Sequence, residues 1–353
     1  MIYKKCSRAE YTEMLDLLNE VFEFDPADAF FQTNLANCTP SPVHALDSEI
    51  EKHYIAISDG KVVGVLGAYP SLMYISENSR SGAKFVIKSC GIGQVACAKA
   101  YRGRGIMRHL MESAMDEMKR NGVQISHLGG EPSIYGVYGF AHAGNTVSFS
   151  FHKHSFAKFV NEDCISIKKA DISDYTILNE LVSLFPAYIQ RDRRAWEKNF
   201  MRKPYAWLIG EGSGGKGFVG VYETEIVEAQ GDVEVVKKLI LHHMEGNGLE
   251  TVSLTYPEAN LSGDLLYEEL WRVSSCFAKT NAGLVAFCNP DSLLKELSPI
   301  LDRYDMGVNK LDEEEKNGLL RILFGNGSQP CDETSAFAKI KPLLYWIPKA
   351  DAV

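Results

Sequence analysis

The stretch Val95-Ala-Cys-Ala-Lys-Ala-Tyr-Arg-Gly-Arg-Gly-Ile-Met-Arg-His-Leu-Met111 decides how this chain folds. An apolar, strand-like run ends near Ala98, and an apolar-periodic helix begins at Ile106. Between them stand Arg102, Gly103, Arg104 and Gly105. Glycines let a backbone approach a ligand closely, and the first N–H groups of a helix have no partner inside it. Such a turn is an anion cradle suited to a pyrophosphate, and the two arginines add charge. Alone, the same residues also describe an ordinary strand-to-helix turn with solvated arginines, because short motifs recur by chance.

The surroundings supply the rest of the pattern. Ser7-Arg8-Ala9-Glu10 has the spacing of a capping box and opens a helix whose Tyr11, Met14, Leu15, Leu18 and Val21 share one side. Two strands over 53–57 and 62–70 flank Asp59-Gly60, a hairpin signal. A third strand over 87–98 runs into the Arg-Gly turn. The following helix carries Ile106, Leu110, Met111, Ala114, Met115 and Met118 on one side and ends at Asn121-Gly122. A strand over 123–130 then leads to a short helical segment at 133–140. This order predicts a mixed α/β domain over residues 1–152.

Much of the order then repeats. A helix is expected over 174–184, residues 207–223 parallel 55–70, and a helix over 233–244 ends at Gly246-Asn247-Gly248 before another strand. Gly231-Asp232-Val233-Glu234 stands where the phosphate turn should be, so this second unit, 153–282, is expected to hold no cofactor. The last unit, 283–353, opens with a strand and a helix that has Pro290 at its start. A further helix over 312–326 has acidic residues in its first turn, which suits the helix dipole. An apolar tail follows with Leu343, Leu344, Tyr345, Trp346 and Ile347, and such a tail is expected to dock.

Composition narrows the function classes. The formal charge is −9, from 37 Lys+Arg against 46 Asp+Glu, with 45% hydrophobic residues. An acidic chain is a poor match for nucleic acid or an anionic membrane as main partner. The eight cysteines form no CxxC pair, and no His cluster has metal-ligand spacing, so free thiols, no metal and a cytoplasmic setting are expected.

The turn gains meaning from Tyr135-Gly136-Val137-Tyr138-Gly139-Phe140, about thirty residues downstream and beyond another strand. Strand, Arg-x-x-Gly, helix, strand and Tyr-x-x-x-Gly-Phe in this order resemble the GNAT N-acetyltransferase superfamily. The resemblance implies a largely antiparallel sheet that splays open for the pantetheine arm of acetyl-CoA. It implies main-chain hydrogen bonds to pantetheine at Val95 and Cys97, and pyrophosphate binding by Arg102, Gly103, Arg104, Gly105 and Ile106. Met107 departs from the small residue usual at its place. A larger residue there is similar to the enhanced intracellular survival (Eis) subgroup, which has tandem acetyltransferase-like domains, a sterol-carrier-like last domain and an apolar tail. The final unit here is short for that third domain.

Aminolysis of a thioester needs alignment, oxyanion stabilisation and proton transfer. Tyr135 matches the superfamily's general acid, with a packed core tyrosine as the competing reading. In the Eis-like group the C-terminal carboxylate acts as base, which would be Val353 here; Glu131 is the reserve as base or amine ligand. Asp25, with Glu23, Asp28 and nearby phenylalanines, is expected to form an acidic, aromatic mouth for a cationic amine. Cys97 lacks an identifiable His or Asp partner, which favours direct transfer over an acyl-cysteine. The resemblance further implies a homo-oligomer. The expected function is acetyl transfer from acetyl-CoA to a small amine or lysine-bearing substrate, and the competing one is a CoA-binding regulatory protein without catalysis.

Overall fold

The computed structural model describes residues 1–23, 42–76, 84–161, 164–201, 205–258, 264–304, 310–325 and Leu343. Asp25, Asp28 and Val353 lie outside the described residues. Strands are labelled in chain order: β1 (Ile2–Lys5), β2 (His53–Ser58), β3 (Lys61–Ser76), β4 (Lys84–Cys97), β5 (Ile125–Leu128), β6 (Ala141–His142), β7 (Asn145–His152) and β8 (Ser166–Lys169). The series continues with β9 (Ala187–Ile189), β10 (Ala206–Gly212), β11 (Gly215–Tyr222), β12 (Glu225–Gly231), β13 (Thr251–Pro257), β14 (Cys276–Asn281) and β15 (Leu284–Phe287).

These strands form two mixed sheets, each flanked by helices. The first is ordered β1-β2-β3-β4-β5-β15-β6, with β9 paired to β3; the second is ordered β14-β7-β13-β12-β11-β10-β8. One parallel pair interrupts each otherwise antiparallel sheet, β4–β5 in the first and β12–β13 in the second. The repeat read in the sequence is therefore a repeat of topology.

The sheets do not divide at residues 152 and 282. β7 crosses into the second sheet and pairs with β13, while β15 returns to the first and pairs with β5 and β6. The segment after Gly283 encloses no core of its own among the described residues. Leu293, Leu294, Leu319, Leu320, Leu323 and Phe324 pack with Met73, Phe85, Ile87 and Ile125 of the first sheet. Leu343 joins that cluster, and its N–H donates to Leu323 O at 2.7 Å, so the described part of the tail is docked.

Two helices position the first sheet from opposite faces. Arg8–Val21 starts at the expected capping box: the Glu10 carboxylate accepts from Ser7 N at 3.1 Å and from Ser7 Oγ at 2.6 Å. It buries Tyr11, Met14, Leu15 and Leu18 against Ile55, Val65 and Ala96. Ile106–Arg120 lies across the other face, with Ile106, Leu110, Met111 and Ala114 against Tyr54, Ala56, Val63 and Leu66. Each fully buried leucine in these contacts stabilises the fold by about 2 kcal/mol.

The halves are tied together by Glu49, which is almost fully buried. Its carboxylate takes Lys198 Nζ at 2.9 Å and Arg194 Nη2 at 3.2 Å from the helix Arg193–Met201. Burial alone would raise its pKa, but the bonds from Arg194, Leu46 N and Lys198 outweigh that and hold it at about 2.

Candidate functional site

β4 and β5 pair through three rungs, Ser89–Ile125, Cys90–Ser126 and Gly91–His127, and then part. Beyond Gly91, the edge of β4 that would face β5 makes no further ladder with it. A bulge lies in this free stretch: Leu66 of β3 faces both Gln94 and Val95, and Gln94 has φ +54°. A bulge turns its strand and re-aims the main-chain groups beside it. Val95 and Cys97, the residues expected to meet pantetheine, therefore lie along an open strand edge.

β4 ends at Cys97, and a short 3₁₀ turn, Lys99–Tyr101, carries the chain to the Arg-Gly turn. Gly103 (φ +77°) and Gly105 (φ +78°) are both left-handed, and a Cβ at either would meet nothing within 4 Å. Backbone conformation and not crowding is what favours glycine here. Gly105 caps the helix without a side-chain hydrogen bond. The first intrahelical bond runs from His109 N to Gly105 O at 3.1 Å, so the N–H groups of Ile106, Met107 and Arg108 have no acceptor within the helix. These donors and the helix dipole make the turn fit for a pyrophosphate.

Each arginine of the turn, expected at the pyrophosphate, also makes a contact within the chain. Arg102 Nε donates to Cys97 O at 3.2 Å and so ties the turn to the end of β4. Arg104 donates to Ala100 O at 3.2 Å and lies 4.9 Å over the Tyr101 ring. Both are exposed, and both brace the turn. His109, on the first turn of the following helix, packs against Tyr3 with the rings tilted by 36° and their centroids 3.8 Å apart.

Tyr135 ends the short helix Pro132–Tyr135 after β5. Its ring meets Phe140 edge-on at 6.3 Å and packs over Gly130, where a Cβ would lie 2.6 Å from the ring. The tyrosine belongs to the cluster that holds Ile106 and Cys97. Burial, helped by Tyr138, raises its pKa above that of a free phenol, so the hydroxyl keeps its proton at neutral pH. Burial also raises the Cys97 thiol against the lowering effect of Arg102, which leaves no ready thiolate there. Glu131 is exposed, and its carbonyl anchors the helix by accepting from Ile134 N and Tyr135 N.

Two features of this site were not read from the sequence. The bulge at Gln94 has no local signature, since glutamine seldom adopts positive φ. His127 was passed over inside an apolar strand; a histidine two residues before Gly129-Gly130, where a strand gives way to a loop, was the available signal. No group of three or more metal-ligating side chains occurs among the described residues. Among them too, no helix is long and apolar enough to cross a membrane.

Comparison with known proteins agrees with this geometry. Residues 3–143 match the model of the acetyltransferase (GNAT) domain. That stretch is a GNAT acetyltransferase domain, the domain of an acyltransferase. No curated protein matches it in sequence. Among solved structures it is similar to a probable N-acyltransferase from Enterococcus faecalis V583, at 17% identity and TM-score 0.62, covering 84% of this chain and 74% of that one. A GCN5-related N-acetyltransferase from Kribbella flavida is similar at 16% identity and TM-score 0.61, covering 81% and 70%. Eis1 from Mycobacterium abscessus is similar at 13% identity and TM-score 0.59, covering 83% and 75%. At these identities the likeness is one of fold, two mixed sheets flanked by helices.

Proposed function

We propose that this GNAT chain transfers acetyl from acetyl-CoA to a primary amine, directly and in a ternary complex. The carrying observation is the β4 edge that runs unpaired with β5 from Gly91 toward the glycine-capped helix start at Gly105, with Tyr135 packed in the same cluster as Cys97 and Ile106. In this reading the main chain at Val95 and Cys97 binds pantetheine, and Arg102, Gly103, Arg104, Gly105 and Ile106 bind the pyrophosphate. The amine nitrogen attacks the thioester carbon, and main-chain N–H groups of β4 hold the developing oxyanion. As the C–S bond breaks, the Tyr135 O–H gives its proton to the departing thiolate, and the proton shed by the new amide nitrogen goes to a base. The Val353 carboxylate is the proposed base; extending the chain past it should then cut turnover, and full activity would leave Glu131 or water. Asp25 is proposed to line the amine's entrance, and light scattering tests the implied homo-oligomer.

The deciding experiment is calorimetry with acetyl-CoA, followed by a panel of primary amines with free-thiol detection. Binding with thiol release supports the enzyme and names its substrate class. Binding without release from any amine would favour the CoA-sensing alternative, and no binding would overturn both.

A further inference from the structure

One buried side chain of the first sheet has an unmet polar atom among the described residues. His127 is 4% exposed, and its Nε2 is buried with no hydrogen-bond partner among the described residues. An unmet polar atom of this kind costs stability and gains nothing from packing. Its place is specific: His127 sits on the last β4–β5 rung, where the cleft begins, and its β4 neighbour is Gly91, which has no side chain to fill the space beside the ring.

The face it occupies is also fixed. Side chains alternate along a strand. Leu128 packs in the cluster of Ile106 and Leu110, on the face that carries the phosphate turn, and Tyr135 belongs to that cluster too. Ile125, two residues from His127, packs in the other cluster with Leu293 and Leu319, as does Val285, the β15 partner of His127. His127 therefore projects from the face opposite the one where cofactor phosphates and leaving-group acid gather.

We propose that the His127 imidazole accepts a hydrogen bond from the incoming amine and holds its nitrogen against the thioester. The proposal rests on the amine-acetylation reading. Burial pushes the ring's pKa down to about 4, so at neutral pH it is uncharged and offers a lone pair to an N–H.

The test compares wild type, His127→Leu and His127→Gln, using the panel amine that releases most thiol. The leucine variant should raise the amine KM at least about tenfold, leave the acetyl-CoA KM within about twofold, and melt no lower than wild type, because an unmet polar group is gone. The glutamine variant, whose amide oxygen reaches about as far as Nε2, should recover most of the loss. Wild-type amine kinetics in a stable leucine variant would overturn the proposal and leave His127 a structural residue. Should that variant not fold, imidazole nitrogen resonances of the wild-type desulfo-CoA complex decide instead: a His127 shift on saturation with n-butylamine supports the role, and an unmoved signal overturns it. A wild type that releases thiol with no amine refutes the amine reading itself, an outcome separate from a silent His127.

Discussion

In the first half β4 and β5 part after the Gly91–His127 rung; in the second, β12 and β13 part after Ile226–Leu254. The first opening ends at a glycine-capped helix. The second is bridged and closed. Gln230 Nε2 donates to Tyr256 OH at 3.2 Å across the gap, Tyr256 OH donates to Asp264 Oδ2 at 3.4 Å, and Tyr256 is wholly buried. Below them Arg191 pairs with Glu228 at 2.8 Å, both nearly inaccessible, and the guanidinium lies 4.9 Å from the Trp196 ring. At the equivalent helix start, Asp232 Oδ1 accepts from Glu234 N and Val235 N, each at 3.1 Å. The donors that remain available at Met107 and Arg108 are thus already used in the second copy, and by an anion. One topology serves as a binding cleft where its strand edge and helix start are left unmet, and as a scaffold where side chains of the same chain satisfy them.

Three substitutions sharpen this contrast. The largest effect is expected from Glu228→Ala, which strands Arg191 in the second core and should cost about 3–5 kcal/mol in denaturant unfolding. Unfolding within about 1 kcal/mol of wild type would mean that the second cleft is not held shut by this pair. Next comes Gly105→Asp, which gives the first turn the carboxylate of the second. A charge about 4 Å from a bound phosphate at an effective dielectric near 20 is worth about 4 kcal/mol, so acetyl-CoA should bind at least a hundredfold more weakly by calorimetry. Undiminished binding would separate the turn from the pyrophosphate. Tyr135→Phe should lower kcat about a hundredfold with acetyl-CoA affinity unchanged, as loss of a general acid does. The sign of its pH dependence follows from burial: the acid works while protonated, and its pKa is raised, so the alkaline limb of kcat should lie above pH 10. A limb below pH 9 that persists in the phenylalanine variant would assign proton donation elsewhere.

How much of this was legible beforehand depended on whether the signal was local. The capping box at Ser7 and Glu10, the turn at Gly103 and Gly105 and the helix that follows are set by neighbours in sequence, and they form as the pattern dictates. The duplication was legible through its punctuation, and Asp232 of the Gly231-Asp232 pair caps the second helix with its own side chain. The strand exchange was not legible. β7 and β15 are ordinary apolar strands, and nothing in Phe149 or Val285 states which sheet they join, because pairing over more than 100 residues is decided by the whole core. The braced arginines were hidden for a related reason: the carbonyls they meet, Cys97 O and Ala100 O, exist as targets only once the turn has folded.

The smallest predicted effect is the most pointed test of the comparison. Asp232→Gly restores a glycine to the second helix start and frees Glu234 N and Val235 N, so it reverses one of the two differences between the halves. Replacing an aspartate cap with glycine should cost only a few tenths of a kcal/mol, since glycine is itself a tolerated cap. If the cap alone distinguished the halves, this variant would bind a second equivalent of acetyl-CoA in calorimetry. The bridge from Gln230 through Tyr256 to Asp264 is untouched by it and still closes the strand edge that pantetheine would need. The expected stoichiometry therefore stays at one per chain, and a second binding event would show that the helix start, and not the parted strands, decides where the cofactor can go.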